Sequence, residues 1–448
     1  MKRRQILKSI PFFISLYSSA AFAQSRPNAV RQLFDIAAAQ HKRELRDLWA
    51  ARAAPLISLS DVSSRSIAEV LAIGAKESRG GWREEYGEIT YPAKTSVLFY
   101  SYDGGVLQAW LVSAVGIQAY HKQSISKQQI SETIASLRDS LNVDSLQRSR
   151  VPHQRASIVV IQSAGRARIS RDRAITDLTQ ILLPVPVANE LVSVEHLIVV
   201  PVMEIGAVPY AILKPFRDNS FLIDKMSVSI APSLFDLGQA LYRRDSRRLF
   251  SSPLIVGNPY LPESRNWSVP SLPGAEQEAQ AVAKIMNATP LLGKEATKTE
   301  VVSRVGESSL LYFATHGVAS SRDPLSKGFL MLSAEQFEQG WWTAREIQNT
   351  RLRAEMTVLS ACQTGLGQAH DAGIIGLSRA FQIAGVPRVV MSLWSVDDQA
   401  TSRLMQEFVN HLATQIPSEA LRQAMLAVRQ EYSEPSKWAS FVMFGTPR

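Results

Sequence analysis

The sequence carries a single cysteine in 448 residues, Cys362, within the string LSACQTG (359–365). A lone buried thiol ordinarily behaves as a small hydrophobe. A thiol that reacts needs a base within reach and an opening to its substrate. The string FATHG (313–317) offers such a base in His316. Both strings close an apolar run: SSLLYFATHG (308–317) reads as a strand ending at His316, and EMTVLSACQTG (355–365) as a strand ending at Cys362. In open α/β sheets, sites form at the carboxyl ends of strands. The chemistry open to these two residues there is acyl transfer, in which the imidazole takes the thiol proton and the thiolate attacks a carbonyl carbon. Gly317 lets the backbone approach that carbonyl, and its N–H and that of Cys362 can aim at one developing oxyanion. Each residue taken singly reads as core or turn. Together, at two strand ends, they read as a dyad.

The elements that must position them form an alternating series. EHLIVVPV (195–202), PLIVGNPY (253–260) and PRVVMSLWSV (387–396) read as further strands. PGAEQEAQAVAKIM (273–286), a helix opening with acids, GIIGLSRAFQIAG (373–385) and DQATSRLMQEFVNHLA (398–413) read as helices, with Asp398 the simplest N-cap of the last. Strands alternating with crossover helices imply an α/β fold with a mostly parallel sheet. Helices on both faces explain why the strands are continuous apolar runs. A smaller region comes first. Residues 29–75 follow a helical pattern that Pro55 interrupts, without an internal repeat. TSVLFYSYDGGVLQAWLVS (95–113) is a hairpin about Asp103-Gly104-Gly105, and SKQQISETIASLRDSL (126–141) is an amphipathic helix. Arginines cluster from Arg148 to Arg173, and 145–175 reads as an exposed, protease-sensitive linker.

Hydrophobic residues make up 46% and charged residues 20%, a globular mixture, with a formal net charge of +9. The first residues, MKRRQILKSIPFFISLYSSAAFAQS, have a basic head, an apolar stretch and Ala21-Phe22-Ala23, the three parts of a secretory signal peptide. Cleavage after Ala23 removes four cations and no acids, leaving +5. RRQILK resembles a twin-arginine export signal, and general secretion is the other route. The expected location is the bacterial periplasm or outside the cell, with no membrane span after cleavage. One cysteine cannot pair within its own chain. The arginine cluster has no interleaved aromatic residues, so no nucleic-acid partner is expected. No zinc motif, phosphate loop or dinucleotide fingerprint occurs, so neither a metal nor another cofactor is expected. The chain thus divides into a signal peptide (1–23), a helical region (24–90), a hairpin and helix region with the basic linker (91–175), and an α/β domain (176–448).

Longer phrases carry a family resemblance. They include LIVVPVMEIGAVPYAIL (197–213), SIAPSLFDL (229–237), LPGAEQEAQAVAKIM, LLGKEAT (291–297) and LYFATHGVASSRDPLSKGFLML (311–332). WWTAREIQ (341–348), VLSACQTGLG, IGLSRAFQIAGVPRVVMSLWSVDDQAT (375–401) and WASFVMFG (438–445) follow in order. In this the sequence resembles the CHAT-domain family, caspase-like cysteine peptidases related to separase. His316 precedes Cys362 by 46 residues, near the caspase separation of about 50. The resemblance implies a caspase-like fold, with His316 as base and Cys362 as nucleophile in cleaving peptide bonds. It implies a protein or peptide substrate. Activation by cutting in the 145–175 linker, or by an activating protein partner, is a further expectation for this chain. The alternative is a catalytically silent caspase-like binding or scaffold protein. Relatives carry Gly-Glu-Gly where this chain has Asp371-Ala372-Gly373, so Asp371 joins Ser392, Trp394 and Asp397 as a candidate for the substrate cleft. Asp397 would select a basic P1 side chain; Trp394 reads equally well as core.

Overall fold

The computed structural model describes residues 27–50, 62–77, 92–143, 169–234, 237, 250–261, 271–318, 323, 325–335, 340–360, 368–370, 373–394 and 397–447. The expected signal peptide and most of the arginine-rich linker lie outside them. The strands are β1 (Thr95–Asp103), β2 (Val106–Ser113), β3 (Gly116–Ser124), β4 (His196–Val200), β5 (Ser227–Ile230), β6 (Pro253–Pro259), β7 (Leu291–Gly293) and β8 (Leu310–Ala314). They continue with β9 (Gly317–Val318), β10 (Phe329–Met331), β11 (Trp341–Thr343), β12 (Met356–Leu359), β13 (Gln368–His370), β14 (Gly373–Ile375), β15 (Arg388–Ser392) and β16 (Phe441–Gly445).

Eleven strands form one sheet in the order β3-β2-β1-β4-β5-β16-β15-β12-β8-β6-β7. From β1 through β4 and β5 to β16 the neighbours are parallel, and from β15 through β12, β8 and β6 to β7 they are parallel again. The β15–β16 pair is antiparallel, as are β1–β2 and β2–β3. The sheet is therefore an α/β sheet, mostly parallel, made of two parallel sets that run in opposite directions and meet at β15 and β16.

The hairpin about Asp103 forms as expected. Gly104 and Gly105 supply the two positive φ values, +54° and +82°, that such a two-residue turn demands. The hairpin belongs to the main sheet, because β1 pairs directly with β4. Its alternation builds two cores. Phe99 and Trp110 face Phe34 and Ile67 of the Pro27–Ala50 and Ser64–Glu77 helices. Leu98 and Tyr100 face the main core with Ile130 and Leu178. Leu178 lies on the Arg171–Leu182 helix, capped by Ser170, where Ala174 and Ile175 are buried. The last residues of the expected exposed linker are thus core.

Two further expectations change. Gly373–Ile375 is a strand paired with β13, not the first turn of a helix, which begins at Leu377. Two adjacent β-branched residues favour the extended form there. Asp397, not Asp398, caps the Asp398–Leu412 helix.

Candidate active site

β8 and β12 are neighbours in the sheet, paired from Leu310 with Met356 to Phe313 with Leu359. Partners along this ladder differ by 46 in number, and so do His316 and Cys362. Each follows a paired position by three residues, from strands that lie about 4.8 Å apart. Cys362 itself lies outside the described residues, as does Asp371.

The His316 side is fixed by short-range bonds. The Thr315 hydroxyl donates to Met331 O at 2.6 Å, and Met331 N–H donates to His316 O at 2.9 Å. This ties the end of β8 to β10 and leaves the His316 side chain half-buried. The bond from Met331 N–H to His316 O sets the phase of the β9–β10 ladder. At the next pair, Gly317 with Leu330, the N–H groups turn outward. The Gly317 N–H is thereby directed away from β10.

Below the same strand ends lies a carboxyl that the sequence reading did not single out. Glu278 on the Pro273–Ile285 helix is buried, on one face with Ala279, Val282 and Ala283. The Tyr312 phenol of β8 donates to it at 2.5 Å, and Ser360, the residue after β12, is hydrogen-bonded to it as well. Burial pushes the Glu278 carboxyl up to about 7; the hydrogen bonds from Ser360 and Tyr312 pull it down, and Asp398 adds an upward push. The available signal was an acid four positions before Val282 on an otherwise apolar helical face. In the sequence it stands beside Glu276 and merges with the acidic opening of the helix.

The cleft candidates fare differently. Ser392 ends β15 and is buried. Trp394 is wholly buried, with its indole N–H donating to Ser436 O at 2.8 Å. It is core, and the expectation that it lines the cleft gives way to packing. The Asp397 carboxylate accepts from the N–H groups of Gln399 and Ala400, both at 3.1 Å. Asp398 instead stands against Gly274, where an added Cβ would come within 2.6 Å of the Asp398 Cβ. Asp397→Ala is expected to destabilise the fold by about 1 kcal/mol through loss of the cap. A urea midpoint checks this. A variant of unchanged stability with an altered P1 preference would return Asp397 to the substrate. Among the described residues, no group of three or more His, Cys, Asp or Glu side chains is arranged to hold a metal.

The family model of the CHAT domain matches residues 172–446. Tetratricopeptide repeat protein 28 of Homo sapiens is 28% identical over 294 residues, which cover 56% of this chain and 12% of that protein. Its Mus musculus counterpart is 27% identical over 286 residues, covering 54% and 12%. The chain therefore spans only a small part of the length of these relatives. Among solved structures, the Arg-specific cysteine proteinase gingipain R aligns over 61% of this chain and 67% of its own, with a TM-score of 0.42 and 11% identity. Separase of Saccharomyces cerevisiae, solved with securin, aligns over 79% of this chain and 30% of its own, with a TM-score of 0.48 and 13% identity. The family model covers well over half of the sequence, including β8, β12 and the residues that follow each. The chain belongs to the CHAT-domain family.

Proposed function

We propose that the protein is an exported cysteine endopeptidase in which His316 activates Cys362. The observation that carries this reading is the common offset of 46 between the β8–β12 ladder and the two residues beyond it. The imidazole takes the thiol proton, and the thiolate adds to the carbonyl carbon of a peptide bond. The oxyanion is met by the N–H groups of Gly317 and Cys362. The C–N bond then breaks as the imidazolium returns its proton to the leaving amine. Water, deprotonated by His316, releases the acyl group and restores the thiol.

The basic, apolar and Ala-x-Ala segments of residues 1–23 support export to the periplasm or beyond. Substrates are proteins or peptides. The arginine-rich stretch before Ser170 is the proposed site of activating cleavage, with partner binding as the other trigger. The test is a peptide-library cleavage profile of the purified protein, before and after limited proteolysis in that stretch. A defined set of cleaved bonds in the wild type, absent in Cys362→Ser, is the expected result. No cleavage in either state would make the protein a catalytically silent binding or scaffold protein.

A further inference from the structure

A carboxyl in an apolar core is costly unless hydrogen-bonded. Glu278 has only 3% of its surface exposed. Its two bonds reach the two strands that carry the dyad. Tyr312 lies in β8, four residues before His316, and Ser360 follows β12, two residues before Cys362. Asp398, at the start of the Asp398–Leu412 helix, is the charged group whose field reaches Glu278. Glu276, on the same helix as Glu278, is engaged elsewhere, accepting from the Asn258 amide at 3.0 Å.

The protonation state of Glu278 decides which way these bonds run. An ionised carboxyl accepts only, so both hydroxyls donate to it. A carboxyl that has taken one proton from solvent carries an O–H that needs an acceptor. With the Tyr312 hydroxyl still donating, Ser360 Oγ supplies that acceptor and its own proton turns elsewhere. We propose that Glu278 is a positioning residue for Cys362, acting through Ser360, and that gain or loss of its proton switches Ser360 between acceptor and donor and so resets the reactivity of the thiol two residues on. This deepens the peptidase reading and rests on it. Burial and the opposed pulls of Asp398 and the two hydroxyls put the switch in the neutral range.

Because the chain has one cysteine, its alkylation by iodoacetamide reports on Cys362 alone. The rate is measured in the full chain from about pH 5.5 to 8.5, spanning the neutral range in which histidine also titrates, for wild type, Glu278→Gln and Ser360→Ala. The ratio of the wild-type rate to the Glu278→Gln rate is expected to change by about threefold or more across neutrality. Ser360→Ala should reproduce the Glu278→Gln profile, and the double variant should add nothing further. A ratio independent of pH, or a Ser360→Ala profile equal to wild type, overturns the proposal. If Glu278→Gln does not melt cooperatively, Ser360→Ala, which removes one hydroxyl, decides alone. Failure of the peptidase reading appears separately, as an unchanged wild-type rate in His316→Ala.

Discussion

His316→Ala is expected to lower kcat/KM for a cleaved peptide by roughly 10²- to 10⁴-fold, the usual contribution of a positioned general base. The melting temperature should move little. The end of β8 is held by the Thr315 hydroxyl and the Met331 N–H, neither of which the substitution removes. The imidazole is half-buried, so its loss opens no large cavity. Steady-state cleavage and thermal melting of the same preparation separate the two effects. A comparable loss of stability would mean that His316 is a structural histidine and that its placement beyond β8 serves packing.

The second large effect concerns stability. Trp394→Ala should cost about 3–5 kcal/mol, the range for removing a large aromatic side chain from a core. Trp394 is wholly buried and donates to Ser436 O, just after the point where β15 meets β16. The neighbouring Leu393 N–H donates to Ser440 O at 2.7 Å, so the segment beyond β15 is fastened to the segment before β16 by both backbone and side chain. The urea midpoint reads this directly. Unchanged stability with a raised KM would return Trp394 to the wall of a cleft.

Much of this architecture was legible in the residues, for physical reasons. β4, β6, β8, β12 and β15 lie in the interior of a sheet covered on both faces, so each is dominated by buried apolar residues. β3, with the sequence GIQAYHKQS, is an edge strand whose polar residues carry no such signal, and it was not recognised. β5 is four residues long, with serine at alternate positions, too little for a pattern. The antiparallel turn of β16, which divides the sheet into two opposed sets, follows from which strand it joins, and local sequence does not encode that choice. The separation of His316 from Cys362 is legible because the numbers of the β8–β12 strand partners differ by the same 46. Glu278 merges in the sequence with the acids that open its helix, although its place on the apolar face points inward. The choice of Asp397 over Asp398 as cap turns on a backbone φ of −61° and ψ of 132° at Asp397, which two adjacent acids do not specify.

The most direct measurement is the rate at which the lone cysteine reacts with a thiol alkylating agent near pH 6.5, in wild type and in His316→Ala. A free cysteine titrates near 8.5, and a histidine partner lowers that value. The dyad predicts rapid labelling of wild type and a loss of ten-fold or more, to roughly the rate of an unassisted thiol, in the variant. Equal rates in the two proteins would contradict it.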